Sequence, residues 1–171
     1  MIKHFSIAFA SFCALLLTSC GYHIGSTMHP QIKSIAIADV KNDTKELLLS
    51  SVLRGKIAEQ IQTDGSLKLT SPGKADCILY CRIVRISTSD GLETSVDGGM
   101  TYRPTEFTAV IEAEFTVLIP GQAEPLIPMR TVSGTSIFRY EADPAIGRQN
   151  GIRQACFQLS RKIVQYTTEA W

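Results

Sequence analysis

Residues 106–118, EFTAVIEAEFTVL, carry the pattern that sets the fold class of this 171-residue chain. Apolar side chains occupy every second position, and threonine and glutamate dominate the positions between them. Because successive side chains of a strand point to opposite faces, this alternation predicts a sheet with one covered and one solvated face. The predicted covered side chains are Phe107, Ala109, Ile111, Ala113, Phe115 and Val117.

An amphipathic helix is predicted in the first half of the chain. Asp43, with Glu46 three positions later, has the spacing of a capping box. Apolar residues then recur with helical periodicity, and Gly65 supplies the left-handed residue at which many helices end. The predicted buried stripe is Leu49, Val52, Leu53, Ile57 and Ile61.

A second amphipathic helix is predicted near the end of the chain. Asp143 followed by Pro144 is a helix-start signature, with a capping side chain before a proline. Gly147 and Gly151 weaken the first turns, so the firm part is expected from Ile152 onward. The predicted buried stripe is Ile152, Ala155, Cys156, Leu159, Ile163 and Tyr166.

Four further β-rich segments complete the order of elements, which is β-α-β-β-β-β-α. They cover residues 32–40, 67–70, 76–87 and 131–140. Two amphipathic helices can cover one face of such a sheet. The sequence therefore predicts an α/β (α+β) fold, a two-layer sandwich of two helices on one face of a mixed, four- to five-stranded sheet.

The cysteines of the expected domain predict buried free thiols. Cys77, Cys81 and Cys156 form an odd set, which cannot close a complete disulfide framework. Cys77 and Cys81 share a strand face at a separation of roughly 13 Å, beyond the roughly 7 Å between Cα atoms that a disulfide spans. Either thiol could still reach Cys156 on the helix, although burial without oxidation is the simpler expectation.

The first residues have the layout of a bacterial lipoprotein signal. Lys3 precedes an apolar stretch of 13 residues, 5–17, and the tetrad Leu17-Thr18-Ser19-Cys20 matches a lipobox. A spanning helix needs roughly 20 apolar residues, so this stretch is not expected to remain as a membrane anchor. We expect a signal peptide over 1–19, lipid attachment at Cys20, a lipidated tether over 20–31 and a single domain over 32–171.

The charge balance and the motifs argue against nucleic-acid binding and against catalysis. Lys3 leaves with the signal, so 16 of the 17 basic residues remain beside 16 acidic ones, without the basic excess of nucleic-acid-binding proteins. The histidines lie in the signal or the tether, and no nucleophile-elbow, P-loop or zincin motif occurs. We therefore predict no enzyme, no cofactor and no metal site, and we interpret Glu112 and Glu114 as surface solvation.

The polar segment 88–104 is the candidate for partner contact. It joins two long predicted strands and contains Tyr102 and Arg103. One interpretation is a solvated connection; the other is a hairpin tip that docks a partner, because aromatic and arginine side chains are enriched at binding hot spots.

The mature chain resembles the LPS-assembly lipoprotein (LptE) family. The opening hexapeptide Cys20-Gly21-Tyr22-His23-Ile24-Gly25 carries most of the resemblance. It continues in Ile35-Ala36-Ile37, in the Asn42-Asp43-Thr44 turn, in the Ala75-Asp76 pair and in the terminal helix segment 159–164.

This resemblance implies a non-enzymatic factor anchored in the outer membrane with its domain on the periplasmic side. Its expected partner is the β-barrel LPS translocon, which it would help to assemble and would plug, with Tyr102 and Arg103 as candidate contacts to the barrel or to lipopolysaccharide. The segment SIAIADVKNDT also resembles the start of lipoproteins that activate periplasmic cell-wall enzymes or form secretion pores. That second class remains the alternative function.

Overall fold

The computed structural model describes residues 32–90, 106–139 and 144–169. The strands are β1 (Ser34–Ile37), β2 (Lys41–Asn42), β3 (Lys68–Leu69), β4 (Cys77–Asp90), β5 (Glu106–Leu118) and β6 (Ile127–Arg139). The helices are α1 (Leu49–Asp64) and α2 (Pro144–Thr168), and a short 3-10 turn spans Pro72–Lys74.

The strands form one mixed sheet in the order β3-β1-β4-β5-β6, with β2 also paired to β4. Strands β1 and β2 run parallel to β4, whereas β4, β5 and β6 are antiparallel neighbours. Strand β1 lies within the predicted first strand, 32–40, whereas β2 follows directly after it and was not predicted. Both helices pack on the same sheet face, which confirms the predicted two-layer sandwich.

The predicted alternation of β5 matches the structure over its full length. Its burial alternates residue by residue from Glu106 to Leu118, and the side chains that face the helices are buried. The apolar stripe of α1 is likewise buried at Leu49, Leu53 and Ile57, and Gly65 ends that helix with φ 72°. Burial of each such large apolar side chain stabilises the fold by roughly 1.5–3 kcal/mol.

A bulge at Val84 keeps the apolar side chains of β4 on the covered face. Ile83 lies opposite Ala113 and Arg85 lies opposite Glu112, so Val84 is an extra residue in β4. A bulge reverses the alternation of faces beyond it. Arg85 therefore points to the open face, where a regular strand would direct it into the core.

The start of α1 differs from the predicted capping box. The helix begins at Leu49, and the residue at the N-cap position, Leu48, makes no side-chain capping hydrogen bond. The Asn42 side chain instead accepts hydrogen bonds from the Thr44 N–H (3.0 Å) and hydroxyl (2.7 Å) and donates to the Glu46 carbonyl (2.7 Å). These polar residues stabilise their own loop, which competes with helix capping.

The helix α2 begins at Pro144, as the Asp143-Pro144 signature predicts, and it is already regular in the turns before Ile152, where weak helix was expected. Packing explains the difference, since a Cβ on Gly151 would lie 2.4 Å from the Phe138 ring. Glycine at this position therefore permits close contact between the helix and β6. Tyr166, the last residue of the predicted stripe, is 40% exposed and stacks at the edge of the core on Phe115.

Candidate functional site: the open face of the sheet

The residues that the sequence singled out for function lie outside the described part of the structure. These are the lipid-attachment residue Cys20 and the candidate contacts Tyr102 and Arg103. The described chain reaches Asp90 at the end of β4 and resumes at Glu106 at the start of β5. The described residues present a candidate contact surface of their own.

That surface is the sheet face opposite the helices. It carries the alternate side chains of β4, β5 and β6, and cross-strand ion pairs run over it. Arg85 bonds to both carboxylate oxygens of Glu112, with 2.7 Å between Nη2 and Oε1, and Arg139 pairs with Glu106. Each pair joins residues directly opposite in the ladder, and because the arginines are exposed, solvent screens the attraction between the charges.

The sequence predicts the face on which these two glutamates lie, but not the partner of Glu112. Their positions in the alternation place them on the solvated face, as predicted. The register that sets Glu112 beside Arg85 depends on the Val84 bulge, which no local pattern in the sequence predicts. Glu112 is therefore half of an ordered ion pair, where simple solvation was expected.

A shallow groove crosses one part of the open face. Tyr80 (42% exposed) and Met129 (67% exposed) provide its apolar surface, and the groove has a volume of about 160 Å³. Charged side chains line the rest of it, namely Asp39, Lys41, Arg82 and Glu114. Exposed aromatic and methionine side chains among charges are typical of protein-contact surfaces. No local pattern in the sequence predicts this groove, because Asp39, β2 and β6 contribute to it from distant parts of the chain.

The three cysteines are buried and free, as predicted. Burial raises the pKa of Cys77 to about 11 and the pKa values of Cys81 and Cys156 to about 12. A thiol with such a pKa is almost entirely protonated at neutral pH and is a poor nucleophile and metal ligand. Within residues 32–90, 106–139 and 144–169, no three His, Cys, Asp or Glu side chains form a group that could hold a metal ion.

The molecule has two distinct ends. The described chain starts beside Cys77, at the end where β5 finishes at Leu118 and where α2 stacks Tyr166 on Phe115. Both helices begin at the opposite end, where Arg148 of α2 pairs with Glu46 at 2.8 Å. Strand β4 also ends, and β5 begins, at this second end.

Neither helix in the described ranges combines the length and apolar character needed to cross a bilayer. No protein-family model and no curated protein sequence matches the chain.

Solved structures share the fold at low sequence identity. Protein XCC0632 from Xanthomonas campestris, of family DUF330, gives a TM-score of 0.59 at 11% identity, covering 82% of this chain and 88% of its own. A minor lipoprotein from Acinetobacter baumannii gives 0.51 at 12% identity, covering 80% and 93%. The PelC dodecamer from Paraburkholderia phytofirmans gives 0.52 at 13% identity, covering 84% and 96%. The chain therefore has a fold that occurs in bacterial lipoproteins.

Proposed function

We propose that this protein is an outer-membrane lipoprotein that assists assembly of the β-barrel LPS translocon, plugs it, and takes part in delivering lipopolysaccharide to the cell surface. The observation that carries the proposal is the open sheet face, where Arg85 pairs with Glu112 and Arg139 with Glu106 across strands while Tyr80 and Met129 stay exposed. The domain acts by binding another macromolecule, without enzymatic chemistry.

The lipobox at Cys20 supports the anchor. A single acyl chain holds a protein to a membrane only marginally, whereas two or more chains hold it stably. A tether over 20–31 would leave the domain at the end where β1 starts, so that end would face the bilayer. The end where the helices begin would then point away from the membrane.

The open face is suited to the inside of a barrel. The interior of an outer-membrane barrel is polar, and lumens large enough to hold a domain belong to barrels of roughly 22 strands or more. Paired arginines and glutamates can enter such a lumen without leaving an uncompensated charge, which would cost several kcal/mol. Tyr80 and Met129 would supply apolar contact at the same surface.

Co-purification from detergent tests this proposal. The wild-type lipoprotein should isolate with a heat-modifiable β-barrel in a one-to-one complex, and its depletion should reduce lipopolysaccharide at the cell surface. Arg85→Glu places two like charges opposite each other on the open face and should weaken the complex. The double variant Arg85→Glu/Glu112→Arg restores the pair and should restore the complex, because the surface keeps its charge balance.

Two results would refute the proposal. One is normal lipopolysaccharide export after depletion. The other is a complex that survives every charge change on the open face in a folded domain.

A second candidate is a lipoprotein activator of a periplasmic cell-wall enzyme or a component of a secretion pore. The fold shared with PelC, which forms a dodecamer, favours the pore role within this class. Light scattering on the purified lipoprotein separates the two readings. A ring of identical copies supports the pore component, whereas a monomer that recruits a barrel supports the translocon factor.

A further inference from the structure

The outer edge of β6 is a second surface with binding capacity, separate from the open face. Strand β6 is the last strand of the sheet and pairs with β5 along one side only. In the described ranges no segment pairs with its other side. An edge strand of this kind presents backbone donors and acceptors to an incoming strand.

The hydrogen-bond pattern of the sheet shows which residues of β6 direct their backbone N–H and C=O groups toward that edge. The Asp43 N–H donates to the Ile83 carbonyl at 3.0 Å, so the backbone groups of Ile83 point away from β5. Ile83 lies opposite Ala113, which in turn lies opposite Val132. Ile83 and Ala113 are therefore a non-bonded pair, and the backbone groups of Ala113 point away from β4 toward β6. Ala113 and Val132 consequently form a bonded pair.

Every second residue of β6, counted from Ser133, therefore directs its backbone groups outward. A side-chain contact agrees with this assignment, because Lys162 Nζ donates to the Ser133 carbonyl at 2.7 Å. The other outward-facing residues are Thr131, Thr135, Ile137 and Arg139. Their backbone groups are available to a further strand along the edge.

The helix α2 overhangs this edge and turns it into a groove. A Cβ on Gly134 would lie 2.1 Å from the Ala155 carbonyl oxygen, so the helix backbone rests directly on β6. A helix with its side chains is about 10 Å across, and strands are about 4.8 Å apart. The helix therefore extends beyond β6 by roughly the width of one strand.

The groove is open and contains cationic side chains at one end. A cavity of about 440 Å³ forms this end, at the start of β6, between Arg130 and the last turns of α2. Arg130 stacks over the Tyr166 ring at 5.3 Å from its centre. The one acidic lining residue, Glu169, accepts a hydrogen bond from Gln165 at 2.9 Å. Lys162 also lines the groove, and β6 itself carries two arginines and no acidic residue.

The overhang argues against antiparallel pairing of β6 with a second copy of this chain. Pairing of two β6 strands would bring two α2 helices to about 5 Å from each other, whereas packed helices need 8–10 Å between axes. A bare extended segment meets no such clash, and the cations favour a segment with carboxylates. We propose that the groove between β6 and α2 binds an extended acidic peptide segment of a partner protein by strand addition to β6.

A defined peptide tests the proposal on the full lipoprotein in detergent. The probe is a short fluorescent peptide of alternating valine and threonine with glutamate at both ends. Its binding is measured by fluorescence anisotropy and compared with that of the lysine twin, the same peptide with lysine at both ends. The glutamate peptide should bind, and the lysine twin should bind at least about tenfold more weakly. Hydrogen exchange on the complex should slow at the outward amides of β6, among them Thr135 and Ile137.

Two variant pairs separate backbone pairing from unrelated binding. Thr135→Pro removes an outward donor without breaking the β5 ladder and should weaken binding about tenfold or more, whereas Thr135→Ala should bind like the wild type. Lys162→Glu should weaken binding of the glutamate peptide, and Arg153→Glu, the same charge change on α2 outside the groove, should not. If Thr135→Pro fails to fold, the comparison of Lys162→Glu with Arg153→Glu still tests the proposal.

The proposal is overturned if the wild type does not bind the glutamate peptide, or if Lys162→Glu binds it as well as Arg153→Glu does. The proposal is also overturned if the peptide slows hydrogen exchange only at amides outside β6. These results leave the proposed translocon function unaffected, because that function depends on the open face and is read out through the barrel complex.

Discussion

Asp76 joins the starts of two neighbouring strands through one carboxylate oxygen. Its Oδ2 accepts hydrogen bonds from the Lys33 N–H (3.0 Å), the Ser34 N–H (2.9 Å) and the Ser34 hydroxyl (2.8 Å). The Lys33 N–H first, and then the Ser34 hydroxyl, hold the pKa of Asp76 below its ordinary value. The Ala75-Asp76 pair that contributes to the family resemblance thus has a structural role between β1 and β4.

We expect Asp76→Asn to destabilise the domain at neutral pH. Because the pKa is lowered by folding, the ionised carboxylate stabilises the fold above its unfolded pKa, near 3.9, and this contribution is lost as the pH falls through the lower folded value. Denaturant unfolding at a series of pH values should show a difference from wild type that shrinks in acid. The control Asp39→Asn changes an exposed carboxylate that makes none of these bonds, and an equal effect there would contradict the assignment.

The buried thiols should resist alkylation in the native protein. With pKa values of about 11 and 12, Cys77, Cys81 and Cys156 have about one thiolate in a thousand or fewer at pH 8. Treatment of the lipidated protein with iodoacetamide should therefore label these thiols only as fast as the domain unfolds, and fully in denaturant. Rapid labelling of the native protein would show that a thiol is accessible and ionised.

At the scale of elements, one glycine permits the contact between α2 and β6. Gly134 lies under the helix, where an added Cβ would meet the Ala155 carbonyl oxygen at 2.1 Å and the Leu159 N at 2.6 Å. Both neighbours are backbone atoms, so rotation of a side chain cannot relieve the clash. The helix must shift or the strand must bend if this position carries any other residue.

Gly134→Ala should lower the free energy of unfolding by about 3 kcal/mol or more, as expected for an overpacked core that has to move backbone. The matched control is Gly55→Ala in α1, where an added Cβ meets nothing within 4 Å. That variant should gain about 0.5–1 kcal/mol, because alanine is the better helix former. Urea titrations measure both changes, and a neutral Gly134→Ala would mean that α2 does not lie directly on β6.

At the scale of the whole molecule, the lipid anchor determines how the domain meets a membrane. Cys20→Ala should abolish palmitate labelling and leave an uncleaved or unanchored protein, because the modified side chain itself carries the acyl groups. Metabolic labelling followed by membrane fractionation measures this. The control Cys13→Ala, within the signal, should label normally. Palmitate labelling that persists in Cys20→Ala would contradict the lipobox assignment.

The sequence predicted those elements whose periodicity is local. The alternation in residues 106–118 predicted both the bounds and the covered face of β5, and the helical spacing predicted the stripe of α1. Gly65 ended that helix as expected, because left-handed backbone is a property of the residue itself. These features depend on neighbours in the chain and so can be recognised without a partner.

Other features depend on contacts between distant segments, and the sequence predicted them poorly. The capping box at Asp43 and Glu46 failed because Asn42 forms a competing turn and Glu46 binds Arg148 on the other helix. The regular helix before Ile152, which was expected to be weak, depends on Gly151 lying against Phe138.

The sequence by itself determined the layer arrangement, the burial of the three thiols and the expectation of a lipid anchor, because each follows from local pattern or composition. Only the tertiary structure determined the ion pairs of the open face and the groove beside β6. Both depend on strand register, on one bulge and on the position of a helix over an edge strand. Local sequence patterns do not specify the register between strands or the position of α2 over β6, because both are fixed only when the sheet and the helices pack together.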